Sequence, residues 1–562
     1  MNNPWPIMLA LAILPTLAKA DAPELAPRSL FPFVIPQEGF TAGTAVDMSY
    51  LNAKPAGGNG YIVVKNAHFV ESKTGKRIRF LGTNFAFMAD FPSRADADNV
   101  ARRLAGLGIN IVRIHHEDAN QNPIWAKNAP GHTTFDASAI DKLDYLIAQL
   151  KKNGIYVDLN LHVIRQFTEA DGFPASVNEI GHYDKRIDYL DRRMIDLQKM
   201  FAHDYLTRVN PYTGLSYTND PAVAIIEINN ENTLAGLPSE SPMDYFDKLP
   251  EPFRKEVVMA WNDYLFRKYH TTDALRKSWF GVLTDASMEP DDLLNSSLAW
   301  SVEDPARDVK LKMIGVGTAS TMPDVVVANP TVTDPAWHKQ LNVIGLDLKE
   351  SGLYRLTLRA RSDKMRKVQV SIGLDHDNWH NIGLDRVLDV APDWRTFSFI
   401  FQAADTVPHH ARISFILGAD AGLLSLTDMR LSRASADRLI DKAQSLEAHN
   451  LDLPDCATRQ ERADWRMFLV DSECRYANEM RGYLRKDLRV HANIVDTQIS
   501  YGGFSGFKRE AESDIADNHA YWQHPTFIPT GCKYLGACPR TLIKARESVR
   551  CVMMCSYERT HP

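Results

Sequence analysis

The segment Ala222–Leu234, AVAIIEINNENTL, constrains the fold more than any other stretch of this chain. It follows the turn signal Asn219-Asp220-Pro221, runs nearly unbroken and apolar, and ends on Asn229, Asn230, Glu231 and Asn232. A strand that apolar is buried on both faces, as in a parallel sheet covered by helices. Its polar C-terminal end is where parallel α/β folds assemble their sites. A buried strand closing on an ordinary polar turn would read the same in isolation, so the neighbouring segments decide.

Those segments have a repeating rhythm. After short strands over Tyr61–Val70 and Lys76–Phe85, a helix-period stretch Asp96–Leu107 ends at Gly108 and leads into the strand Ile109–His115. The helix Ala139–Asn153 ends at Gly154 before the strand Ile155–His162, and the helix Ile187–Leu206 precedes Ala222–Asn230. Helices alternating with short apolar strands predict a parallel sheet with helical crossovers. The parity of the strands adds a second constraint. Arg113 and His115 share one face; so do Asp158, Asn160 and His162, and so do Glu227, Asn229 and Glu231, with aliphatic residues between them. With a period of two, each strand has a polar and an aliphatic face. Helices cover the aliphatic faces, so the polar faces must meet one another, which a closed barrel allows and an open doubly wound sheet does not.

At 562 residues the chain is long enough for two or three cores. The helical rhythm stops near residue 290, and alternating segments follow at Gly352–Ala360, Lys367–Gly373, Trp394–Gln402 and Ala411–Leu417. They predict an all-β, jelly-roll-like sandwich over 291–435. Helical pattern returns at Ala436–Leu446 and Gln460–Leu484, then strands at His491–Ser500 and Asp514–Trp522. The sandwich therefore reads as an insertion between a first barrel part, 61–290, and a second, 436–525. Ile7–Leu17 is an apolar core followed by Ala18-Lys19-Ala20, so residues 1–20 read as a signal peptide and 21–60 as a leader, with a secreted or periplasmic product expected. A net charge of −6 without a Lys/Arg run points to neither nucleic acid nor membrane as partner, and a monomer is expected.

Four pieces carry a resemblance to a known family: Arg113 in VRIHHED, His162 in LNLH, Asn230-Glu231, and His519-x-Tyr521 in DNHAYW. In this order and at these strand ends the chain resembles clan-A retaining glycoside hydrolases, most closely glycoside hydrolase family 5, the cellulase family. The resemblance implies a (β/α)8 TIM barrel and a β-glycan substrate, with no cofactor and no metal. It implies Glu231 as acid and then base, Asn230 on the sugar 2-hydroxyl, and Arg113 and Tyr521 orienting a nucleophile. It also implies that His162 and His519 line the subsite, with His115, His116 and Trp522 beside them, and that the insert is similar to a carbohydrate-binding module. Trp337, Trp379 and Trp394 are its candidate stacking residues, although single tryptophans in sandwiches usually pack inside.

The chain departs from the family at its C-terminus. The family's nucleophile is a Glu closing the seventh strand, and the stretch after Pro525 is shorter than two βα units, which need about 30 residues each. Its Glu547 and Glu558 close no apolar strand. Glu227 lies four residues from Glu231, about 13 Å along a strand, whereas a retaining pair stands about 5–5.5 Å apart. Asp517 falls where the family has a structural residue. The barrel is thus expected to be incomplete at its C-terminus, and 526–562 reads as an atypical tail, truncated or frame-shifted. That tail holds Cys532, Cys538, Cys551 and Cys555, which could bind zinc or form disulfides, as Cys456 and Cys474 could. Two other functions stay open. One is a carbohydrate-binding protein without turnover. The other is a metal-dependent hydrolase using His115, His116, Glu117, Asp118 and His162, weakened because adjacent histidines on a strand point to opposite faces.

Overall fold

The computed structural model describes residues 40–127, 129, 131–181, 186–235, 245–280, 292–294, 298–315, 322–434, 440–441, 443–499 and 503–520. The expected signal peptide, most of the leader, Tyr521, Trp522 and the tail lie outside the described residues.

Five parallel strands form the first sheet in chain order: β1 (Gly82–Ala86), β2 (Ile111–His115), β3 (Tyr156–Asn160), β4 (Val223–Glu227) and β5 (Asn493–Val495). The last of these follows the sandwich in sequence, so the sheet draws on both sides of it. Helices α1 (Arg94–Gly106) and α2 (Ala137–Lys152) make the first crossovers, N-capped by Ser93 and Asp136. Gly154 turns α2 into β3 at φ +79°, where an added Cβ would stand 2.6 Å from the carbonyl oxygen of Ala53. The helix expected from Ile187 divides: a 3-10 turn, Ile187–Tyr189, precedes α3 (Arg192–Thr207), because Asp191 caps the amide of Met194 and starts the helix there. The strand expected over Tyr61–Val70 is a hairpin, Ile62–Lys65 with His68–Glu71, turned at Asn66 and Ala67 with φ of 51° and 60°.

The strand parity has a direct physical outcome. Val112, Ile114, Val157, Leu159 and Ile226 face the helices and join the large core. Ile111, Tyr156, Ala224, Ile225 and Val495 face the other way and pack with Ile62 and Phe69 of the hairpin. That hairpin floors the N-terminal end of the sheet, and Asn493 ties the two by bonding the carbonyls of Ile62 and Ala224 at 3.0 and 2.9 Å. Above the floor the same interior face carries Arg113, Asp158, Asn160 and Glu227. Among the described residues the sheet stops at β5, with residues 514–517 beside it through Asp514 N to Ile494 O and Ile499 N to Asp517 O, each 3.0 Å. The second barrel part is less regular than expected. The strand read over His491–Ser500 shortens to β5, and the described part of Asp514–Trp522 forms no strand. The described residues of 436–446 form no helix, and Leu446 N donates to the Thr272 hydroxyl at 2.8 Å. Helix α4 (Phe253–Tyr269), α5 (Thr272–Phe280) and α6 (Arg459–Gly482) complete the helical layer.

Between them stands the sandwich, two five-stranded antiparallel sheets over residues 300–433 with a core of its own. Along Leu353–Ser362 every second residue is buried and those between are half-buried or exposed, as in a strand with one face on a core. The expectation that its tryptophans pack inside is corrected. Trp337 is 58% and Trp379 54% exposed, and Trp394 is half-buried under Arg359 and Arg361. The first two sit on turns outside the strands; the tryptophan that does pack in the core is Trp300, with Tyr354, Phe401, Phe415 and aliphatic residues. Cys456 and Cys474 are both free, and burial pushes the Cys456 thiol up to about 12.

Candidate active site

The polar interior layer of the parallel sheet converges at its C-terminal end. Arg113 of β2 donates Nε to Glu227 Oε1 at 2.8 Å and Nη2 to Glu227 Oε2, and Nη2 also reaches Asn230 Oδ1 at 3.0 Å. Asn160 of β3 donates to the same Glu227 carboxylate. Asp158, fully buried beside Glu227, has its carboxyl pushed well up by burial and by that neighbouring charge. Burial and the adjacent guanidinium push His115 far down, leaving a neutral imidazole.

The segment after β4 is pinned from both sides. Ile228 and Asn229 donate backbone amides to Val495 O and Asp496 O at 2.9 and 2.7 Å, and Asn230 donates to His162 O at 2.9 Å. Glu231 then turns at φ 43°, a left-handed conformation uncommon outside glycine. Non-glycine residues in that region persist where the surroundings over-determine them, and they cluster at functional sites. Glu231 Oε1 stands 2.8 Å from His519 Nδ1, and Asp517 Oδ2 stands 3.0 Å from the ring's Nε2. Although burial acts downward, these two carboxylates raise His519 to about 9, an imidazolium at neutral pH. The Glu231 side chain keeps 21% exposure.

The structure thus brings together Arg113, Asn230, Glu231 and His519, with His115 close by. Arg113 spends its Nε and Nη2 donors on Glu227 and Asn230 and so orients the Asn230 amide. The structure corrects one expected role. His162 lines no subsite: it is buried, with Nδ1 3.1 Å from Asp118 and Nε2 2.7 Å from Asp188. Burial opposes its charge, but the two acids raise it to about 9. Asp118, despite burial, is held below the usual carboxylate range by His162 and by the amides of Val163 and Arg165. The residues of the metal reading go separate ways: His162 and Asp118 are in this clamp, Glu117 faces Asp90, and His116 stacks on Phe87. Among the described residues no group of three or more His, Cys, Asp or Glu is placed to hold a metal ion. Asp188 and Phe87 had no local signal in the sequence. Asp517, expected at a structural position, stands on the other side of the His519 ring from Glu231.

No protein-family model matches the chain. It is 25% identical over 215 residues to the mannan endo-1,4-β-mannosidase 4 of Oryza sativa subsp. japonica, covering 36% of this chain and 45% of that protein. The solved endo-1,4-β-mannanase of Rhizomucor miehei is 21% identical at a TM-score of 0.27, over 35% of this chain and 58% of that one. A solved structure named "CBM4 structure and function" is 23% identical at a TM-score of 0.21, over 28% of this chain and 98% of that one. The chain spans between 35% and 45% of the length of the first curated relatives it matches. Over part of its length, then, its sequence is similar to proteins named for endo-acting cleavage of β-1,4-mannan.

Proposed function

We propose that this chain acts on β-linked polysaccharide as a retaining-type glycoside hydrolase, with β-1,4-mannan as the first substrate to test. The observation that carries the reading is the Asn230-Glu231 pair closing β4. Arg113 holds the amide, and His519 meets a carboxyl that remains open to solvent. In this reading Glu231 protonates the leaving glycosidic oxygen and later takes a proton from the attacking water. Asn230 faces the sugar hydroxyl next to the reacting carbon, and His115, neutral, offers a hydrogen bond without competing for the proton. Export of the chain and a monomeric state belong to the same proposal. So does glycan binding by the sandwich. Its second sheet carries a polar row, Ser301, Asn342, Ser414 and Ser371, in register on the face away from its core, with Asn342 and Ser414 buried. Trp337 and Trp379 stand exposed outside the strands.

A second reading, glycan binding without turnover, is favoured by one feature. Glu227 and Asp517 are committed to Arg113 and His519, and the imidazolium beside Glu231 favours its ionised form, whereas a general acid must carry a proton. The two readings separate in one assay of residues 21–562 on soluble mannan, glucan and xylan. Turnover of at least ~1 per second, abolished in Glu231→Gln, supports hydrolysis. Retention on insoluble mannan without product supports binding alone. Neither product nor retention would sink both.

A further inference from the structure

The turn after β1 carries a residue that the site described above does not use. Phe87 opens the 3-10 turn Phe87–Asp90 and is 39% exposed. Its ring lies nearly parallel to the His116 imidazole, centroids 4.3 Å apart at 21°, and His116 meets His115 edge-on at 3.9 Å and 72°. Phe87 and His116 both adopt positive φ, 54° and 74°. With Glu231 they place left-handed non-glycine residues after β1, β2 and β4. Such backbone persists only where neighbours enforce it, and here the enforcement is visible. Asp90, closing the same turn, and Glu117, next to His116, are completely buried, and neither carboxyl nor the Tyr205 hydroxyl has a hydrogen-bond partner among the described residues. Burial raises Asp90 to about 7 and Glu117 well above its usual range. Each turn thus sends a buried acid inward from the ring it presents.

We propose that Phe87, backed by His116, is a sugar-stacking platform forming one wall of the Glu231 site. The inference rests on the glycan reading above and names a residue for it. One face of a β-linked pyranose presents C–H groups, which fit the electron-rich face of an aromatic ring. A ring already held in place loses little freedom on binding. Arg113, on the same face of β2 as His115, reaches Asn230 beside Glu231 at 3.0 Å, and the turns that carry Phe87, His116 and Glu231 all leave the C-terminal end of the same parallel sheet.

The test uses the full chain carrying Glu231→Gln to stop turnover and Trp337→Ala with Trp379→Ala to remove the exposed sandwich tryptophans. Mannotetraose and cellotetraose are titrated by calorimetry at pH 6. Phe87→Ala and Phe87→Leu each weaken binding about five- to tenfold, the scale of one aromatic contact. Phe87→Tyr stays within twofold of the parent. A parent that binds while Phe87→Leu binds equally overturns the platform and leaves the glycan reading standing, because leucine keeps the apolar bulk without the ring. A parent and an unaltered chain that both bind neither sugar overturn the glycan reading, and the platform with it.

Discussion

Two histidines in this molecule are each gripped by two carboxylates, and the contrast between them separates support from chemistry. Asp118–His162–Asp188 lies beneath the mouth, with every member buried. Asp517–His519–Glu231 lies at the mouth, where the Glu231 side chain keeps 21% exposure and its backbone is left-handed. The chemistry of the two clamps is the same, and both imidazoles are raised to about 9. What differs is access. The inner clamp fixes the loop that follows β3 to the one that follows β2, while the outer one presents a carboxyl to solvent.

If that contrast holds, removing the inner histidine damages the fold. His162→Leu leaves Asp118 and Asp188 buried without a counter-charge, and breaking such a network by removing one partner costs about 3–5 kcal/mol. Urea unfolding should show this loss. The pH dependence carries the same signature. His162 is raised above its unfolded value of about 6.5, so its contribution is fully present below pH 6.5 and is lost as pH rises toward 9. Stability of the unaltered chain should fall across that window, and His162→Leu should flatten the fall. An unfolding midpoint within error of the parent would mean that the inner clamp is dispensable.

At the outer clamp the converse is expected. Glu231→Gln keeps shape and removes the proton donor, so glycan turnover drops by about 10²–10⁴-fold while the unfolding midpoint stays close to the parent's. Loss of the fold along with the activity would place Glu231 with the inner residues and erase the distinction.

How much of this could be read in advance follows from the range of each interaction. The interior layer of Arg113, Asp158, Asn160 and Glu227 was legible because strand parity is a local property with a period of two. Gly154 was legible for a similar reason, since a helix end needs a left-handed residue nearby. Asp191 was present as a capping residue, but the helical period running across it hid the break between the turn at Ile187 and α3. Of the partners of His162, Asp118 was named beside it only as a metal ligand, and Asp188 was not legible: it reaches the ring through a loop that carries no periodicity. The exposure of Trp337 and Trp379 was also hidden, because tryptophan buries or projects according to the turn that carries it, and a strand pattern describes only the strands. Phe87 shows the same limit, sitting one residue beyond the end of β1, where the backbone turns left-handed.

The carboxyl pair under Phe87 gives a smaller effect of opposite sign. The unfolded chain ionises Asp90 near pH 4, whereas the folded chain holds the proton to about 7. A carboxyl raised on folding therefore lowers stability progressively between those values, and the loss is complete above the folded one. Asp90→Asn removes the ionisation and keeps the shape of the side chain. It should raise stability by about 1–3 kcal/mol at pH 7.5, with the gain shrinking to near zero at pH 4. Thermal unfolding at the two pH values decides it. A destabilised variant at both would mean that burial does not hold the proton on Asp90.

The smallest expected effect lies on the outer clamp itself and bears most directly on whether Glu231 works as an acid. His519 is an imidazolium 2.8 Å from Glu231, and an adjacent opposite charge favours the ionised carboxylate. His519→Gln keeps a hydrogen-bond donor in reach and removes the charge, so the protonated form of Glu231 should persist to higher pH. If the chain turns over glycan, the alkaline limb of its pH profile moves up, and the effect is seen in kcat more than in KM. Fold stability should fall less than in His162→Leu, because the Glu231 carboxylate that loses the charge keeps 21% exposure and can be solvated. A purely structural His519 would lower activity equally at every pH and would leave the limb in place. That outcome would make the two clamps alike, and access to solvent would then no longer distinguish the residue that supports from the one that reacts.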